Sequence, residues 1–107
     1  MSFNILPTPP FERELKKLSK KYPSLKSDFS ELVLSLISNP KIGKSLGNNC
    51  YKIRMAITSK KKGKSGGARI ITYVQIIDER IYLLSIYDKS EITTITDNEI
   101  IGRINDL

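Results

Sequence analysis

The chain has 107 residues, 39% of them hydrophobic, with 18 lysines and arginines against 11 aspartates and glutamates. That length predicts one domain spanning residues 1–107 with one modest core, and a mean hydropathy of −0.25 argues against both a disordered and a membrane-embedded chain. Histidine is absent and Cys50 is the sole cysteine, which excludes an internal disulfide and removes the commonest metal ligand, so no metal and no cofactor are expected and a cytoplasmic setting fits.

In chain order, Ser2 to Leu6 reads as a short strand. Thr8-Pro9 then reads as an N-cap with proline in the first helical turn. Phe11, Leu15, Leu18 and Tyr22 follow on one face of an amphipathic helix. Pro23 breaks it, and Leu25, Phe29, Leu32, Val33, Leu36 and Ile37 predict a second helix ended by Asn39-Pro40. Lys41 to Asn49 reads as a polar loop. The period then changes to two: Tyr51, Ile53, Met55 and Ile57 alternate with Lys52, Arg54, Ala56 and Thr58, a half-buried strand.

Arg69 to Ile77 predicts a further strand, Asp78-Glu79 a turn, and Arg80 to Tyr87 a central strand, apolar at nearly every position. Thr96 to Glu99 has the capping-box form and opens a short terminal helix. The order β-α-α-β-β-β-α predicts an α+β domain, an antiparallel sheet with helices packed on one face.

The charge is concentrated. Between Glu31 and Asp78 there is no acid, while that interval holds nine of the 18 cations. Such a segment implies a polyanionic partner, most simply nucleic acid. The stretch Lys60 to Arg69, KKKGKSGGAR, contains the GKS of a nucleotide-binding loop. That motif requires a glycine at position 58 and a following helix; Thr58 stands there and a strand-forming segment follows. A cationic connection between two strands remains, with Lys60, Lys61, Lys62 and Lys64 as candidate RNA-binding residues. Lys52 and Arg54 share one face of their strand, roughly 6.7 Å apart, close to the spacing of adjacent phosphates. Arg69 opens the next strand, and Tyr87 and Lys89 end the third. Tyr73 and Tyr82 suit a cross-strand pair, Glu91 a surface carboxylate, and Cys50 an inert small residue.

Taken together, CYKIRMA, a Lys/Gly-rich loop, GKSGGARIITYV and IYLLSIYDKSE resemble the RelE/HigB-type toxins of bacterial type II toxin–antitoxin modules, over about Ile42 to Glu91. The pattern is most similar to the HigB-like branch of the RelE/ParE superfamily. The resemblance implies a RelE-like α+β fold, with an N-terminal helical hairpin on a small antiparallel sheet and a short C-terminal helix. It implies a ribosome-dependent mRNA endonuclease, an mRNA interferase that inhibits translation by metal-independent attack of a ribose 2′-OH on the adjacent phosphate. Catalytic roles then fall on Lys52, Arg54, Arg69, Tyr87 and Lys89. The implied partners are a cognate antitoxin, the ribosome and mRNA in its A site, and no membrane.

The sequence departs from typical RelE-like members at Ser90 and Thr96, where they carry an arginine and a tyrosine. Two alternatives stand beside the nuclease: a ParE-like gyrase-inhibiting toxin on the same fold and, prompted by these departures, a catalytically degenerate toxin that only binds antitoxin or nucleic acid.

Overall fold

A computed structural model of the chain describes residues 3–92 and 94–107. The elements run β1 (Asn4–Pro7), α1 (Pro9–Lys21), α2 (Leu25–Ser38), β2 (Lys44–Gly47), β3 (Cys50–Met55), β4 (Ala68–Gln75), β5 (Arg80–Asp88) and α3 (Asp97–Asn105). The strands form one five-stranded sheet in the order β1-β5-β4-β3-β2. Ser2, the first residue of the expected opening strand, lies outside the described residues.

Local chemistry sets the helices. Thr8 caps α1: its hydroxyl accepts from Phe11 N and donates to Leu83 O at 2.8 Å, which fastens the helix start to β5. Pro23 ends α1, and the Thr96 hydroxyl accepts from Glu99 N to cap α3. The α1–α2 hairpin lays Phe11, Leu18, Leu25 and Leu36 on Ile53, Ile70, Val74, Ile81, Leu83 and Ile86. Phe11 and Phe29 meet with ring centroids 5.5 Å apart inside this core.

Four expectations change. The sheet is mixed rather than antiparallel, because β1 returns beside β5 and pairs with it in parallel. The loop expected at Lys41–Asn49 contains β2, which forms a hairpin with β3. All four β2 residues are exposed, so no apolar alternation betrays the strand. Backbone pairing alone makes it, through a two-residue turn in which Asn48 and Asn49 both have positive φ.

The expected strand ends also shift: β3 stops at Met55, a 3-10 turn follows at Thr58–Lys60, and β4 stops at Gln75, which leaves Ile77 in the turn and 97% exposed. Finally, the helices do not share one face. Successive strand residues point to opposite faces, so Ile70 and Ile86 meet the hairpin while Ile71 and Tyr87 meet Ile100 and Ile104 of α3. Tyr73 and Tyr82 pair across β4 and β5 on the α3 side, 6.1 Å between centroids. No described helix is long and apolar enough to cross a membrane.

Candidate nucleic-acid site

The α3 face is only partly covered. α3 shields Cys50, Ile71, Leu84 and Tyr87. Toward the β2 edge the same face carries cations, and there the sheet, the 41–44 segment and the β3–β4 connection enclose a cavity of about 450 Å³. Its walls are Ile42, Gly43, Lys44, Lys52, Ile53, Arg54, Lys64, Arg69 and Lys89. Six are cationic and none is a carboxylate, so the cavity suits an anion and repels a cation.

Register explains the clustering. Lys44 lies opposite Lys52. Arg54 lies opposite Arg69, and Arg69 opposite Tyr87. Like charges directly opposed across strands are unfavourable; Arg69 tolerates Arg54 because its guanidinium turns to backbone carbonyls. It donates to Lys64 O at 2.8 Å, Ala68 O at 3.1 Å and Ser65 O at 3.2 Å. Burial, and then the neighbouring Arg54, draw its pKa below the usual arginine value, against a smaller opposing effect of Tyr87. Arg69 thus folds the glycine-rich connection onto itself. Gly67 is required there: a Cβ would sit 2.2 Å from Met55 O. Gly43 is required for the same reason, with φ +102° and Lys52 O only 2.5 Å from a Cβ.

The expected site residues divide. Lys52, Arg54, Lys64, Arg69 and Lys89 come together in the cavity. Lys52 Nζ also donates to Thr94 Oγ1 at 3.3 Å, and Lys89 N donates to Gly67 O at 3.0 Å. Lys61 and Lys62 are exposed on the connection and do not line the cavity. Tyr87 is 3% exposed, packed in the α3-side cluster, and its hydroxyl has no hydrogen-bond partner among the described residues. Lys60 turns away from the cavity into an ion pair with Asp88.

The two departures from the RelE pattern have local structural roles. Ser90 donates through N and Oγ to Asp88 Oδ1, and Thr96 caps α3. Glu91 pairs with Lys21, and burial pushes the Cys50 thiol above its usual pKa, as suits an unreactive thiol.

Sequence reasoning missed Lys44 as a site residue, because β2 carries no strand signal. It also missed Asp88, whose partners Lys60 and Tyr22 lie 28 and 66 positions away. The acid in YDKS, alone in its apolar strand, was the available signal.

No protein-family model matches the chain. Solved structures do. A double arginine-to-alanine mutant of the E. coli toxin RelE in the free state matches 100% of this chain and 99% of its own, with a TM-score of 0.64 at 17% identity. RelE in the intact E. coli RelBE toxin–antitoxin complex covers 80% of this chain and 95% of its own, with a TM-score of 0.63 at 18% identity. The RelE mutant bound to a RelB antitoxin peptide covers 97% and 95%, with a TM-score of 0.58 at 17% identity. The helical hairpin, the five-stranded mixed sheet and the C-terminal helix of this chain thus follow one known plan, the fold of the RelE toxins.

Proposed function

We propose that this chain is the toxin of a type II toxin–antitoxin module and acts as an mRNA endonuclease on the ribosome in the cytoplasm. The observation that carries the reading is the cavity of six cations without a carboxylate, on an α+β fold shared with RelE. In the proposed reaction a ribose 2′-hydroxyl gives up its proton and attacks the adjacent phosphorus, the 5′-oxygen leaves and takes up a proton, and a 2′,3′-cyclic phosphate results. Charge accumulates on the phosphoryl oxygens, and fixed donors aimed there typically lower the barrier by about 3 kcal/mol each. In this reading Arg54 and Lys52 on β3 and Arg69 on β4 supply such donors, and Lys64 and Lys89 hold flanking phosphates; that all five line one cavity supports it.

The expected partner is an antitoxin with an acidic segment that covers the Lys41–Arg69 surface and neutralises it. RelE has been solved with RelB, which supports a partner of that kind here.

The test is a translation extract with mRNA 5′ ends mapped by primer extension. Codon-positioned new ends are expected with the wild type and absent with Lys52→Ala or Arg54→Ala. Intact mRNA, or trapped cleaved DNA as from a gyrase poison, would overturn the reading. A second reading is a binding-only toxin. It is favoured by the Arg69 guanidinium being engaged by three carbonyls and the Tyr87 hydroxyl being shut in. It predicts antitoxin binding with no cleavage of either nucleic acid.

A further inference from the structure

Of the four lysines between β3 and β4, one behaves unlike the others. Lys61, Lys62 and Lys64 are exposed, whereas the Lys60 side chain is 9% exposed. Its Nζ donates to Asp88 Oδ1 at 2.8 Å and to Ser90 Oγ at 3.1 Å, and lies 5.3 Å from the centre of the Tyr22 ring. The Asp88 side chain is fully closed off. It also accepts from the Tyr22 hydroxyl, from Ser90 N at 3.0 Å and from Ser90 Oγ at 2.7 Å. Burial pushes the Asp88 carboxyl upward, but the hydrogen bonds from Lys60, Tyr22 and Ser90 outweigh it and hold the group below the carboxylate range. A buried pair so fully satisfied is rigid, because any displacement strands a charge away from water.

Its position gives it a use. Ser24 and Asp28 tie Thr58 and Ser59 to the start of α2, on the hairpin side. Lys60 is the tie from the same turn to β5, immediately before the 61–67 segment. On the other side of the pair, Asp88 immediately precedes Lys89, a cavity residue whose N–H bonds Gly67 O at the segment's exit. The segment's interior is gathered by Arg69 through Lys64 O and Ser65 O.

We propose that Asp88 and Lys60 are positioning residues for the cationic cavity: their buried ion pair fastens the entrance of the 61–67 segment to the end of β5, so that Lys64, Arg69 and Lys89 present their charges together to one stretch of RNA backbone. The identity of the anion rests on the RNA-cleaving reading; the joint itself does not.

The experiment compares the wild type with Lys60→Met, Lys60→Arg, and the double variant Lys60→Met/Asp88→Asn, which leaves no charge buried and so keeps a folded comparison available. Trypsin cleavage after Lys61, Lys62 and Lys64 reports the segment directly, with cleavage after Lys16 and Lys20 in α1 as the internal control. Binding of a 2′-O-methylated single-stranded RNA, which cannot be cut, reports the cavity. In Lys60→Met and in the double variant, cleavage within the segment is expected to rise about tenfold over the α1 control, as for a locally released segment. RNA affinity is expected to fall about fivefold in the same variants. Lys60→Arg keeps the pair and is expected to retain wild-type values in both. Unchanged segment cleavage in a double variant that melts like the wild type would overturn the proposal. So would a Lys60→Arg protein as open as Lys60→Met. Should even the wild type fail to bind the RNA, the RNA-cleaving reading falls, while the trypsin rates still decide whether the joint exists.

Discussion

The two faces of the sheet do different work. The hairpin face is closed by α1 and α2 over an apolar core that includes Phe11, Leu25, Ile70 and Leu83. The other face is covered by the short α3 only between Cys50 and Tyr87, and its remainder carries Lys44, Lys52, Arg54 and Arg69. Covering those cations would strip them of water without carboxylates to pair with, which costs several kcal/mol per ion. An open basic face and a closed apolar face on one sheet separate what stabilises the fold from what can grip an anion.

Substitutions are expected to respect that division. The largest effect belongs to the hairpin face. Phe11→Ala should cost about 4 kcal/mol in urea unfolding, and Ile100→Ala beneath α3 about 2 kcal/mol; equal costs would mean that the second face is packed as tightly as the first. Next comes the joint behind the cavity. Asp88→Ala leaves the Lys60 ammonium buried without its partner and should cost about 3 kcal/mol.

The pH dependence of that joint has a definite sign. Asp88 has a folded pKa below its unfolded value of 3.8, so its contribution is present above that value and is lost as pH falls through the folded pKa. Lys60 is raised above 10.5, chiefly by its hydrogen bond to Asp88, so its share is present below 10.5 and is lost as pH rises through the folded pKa. In denaturation between about pH 5 and pH 2, the stability difference between wild type and Asp88→Asn should shrink; a constant difference would contradict the pairing.

A smaller loss, about 1–2 kcal/mol, is expected for Gly67→Ala, whose new methyl meets Met55 O and forces β3 and β4 apart at the cavity. The smallest stability effects fall on the cations themselves. Lys52→Ala and Arg54→Ala should change unfolding free energy by no more than about 0.5 kcal/mol while removing RNA cleavage. Arg54→Ala should even relieve Arg69 slightly, since the two guanidinium groups repel across β3 and β4. A large stability loss in either variant would mean that the cationic face supports the fold after all.

Much of this was legible in the residues. Helix caps at Thr8 and Thr96, the break at Pro23 and the alternation of Tyr51, Ile53 and Met55 are local signals, and the structure follows them. The cavity was partly legible because Lys52 and Arg54 share a face by strand parity alone. Their company was not: Lys44 joins through a strand without an apolar pattern.

Within KKKGKSGGAR, the sequence treats four lysines alike. Nothing local distinguishes Lys60, because its partner Asp88 lies on a strand brought near only by folding.

By itself, then, the sequence determined the element types apart from β2, most of the hydrophobic core positions and the concentration of positive charge, all of which depend on neighbours within a few residues. Tertiary structure alone decided the parallel return of β1 beside β5, the placement of α3 opposite the hairpin, and which cations face the cavity. Those choices depend on strand register and on contacts between residues far apart in the chain, where the stabilising energy is shared among elements and no single stretch carries the signal.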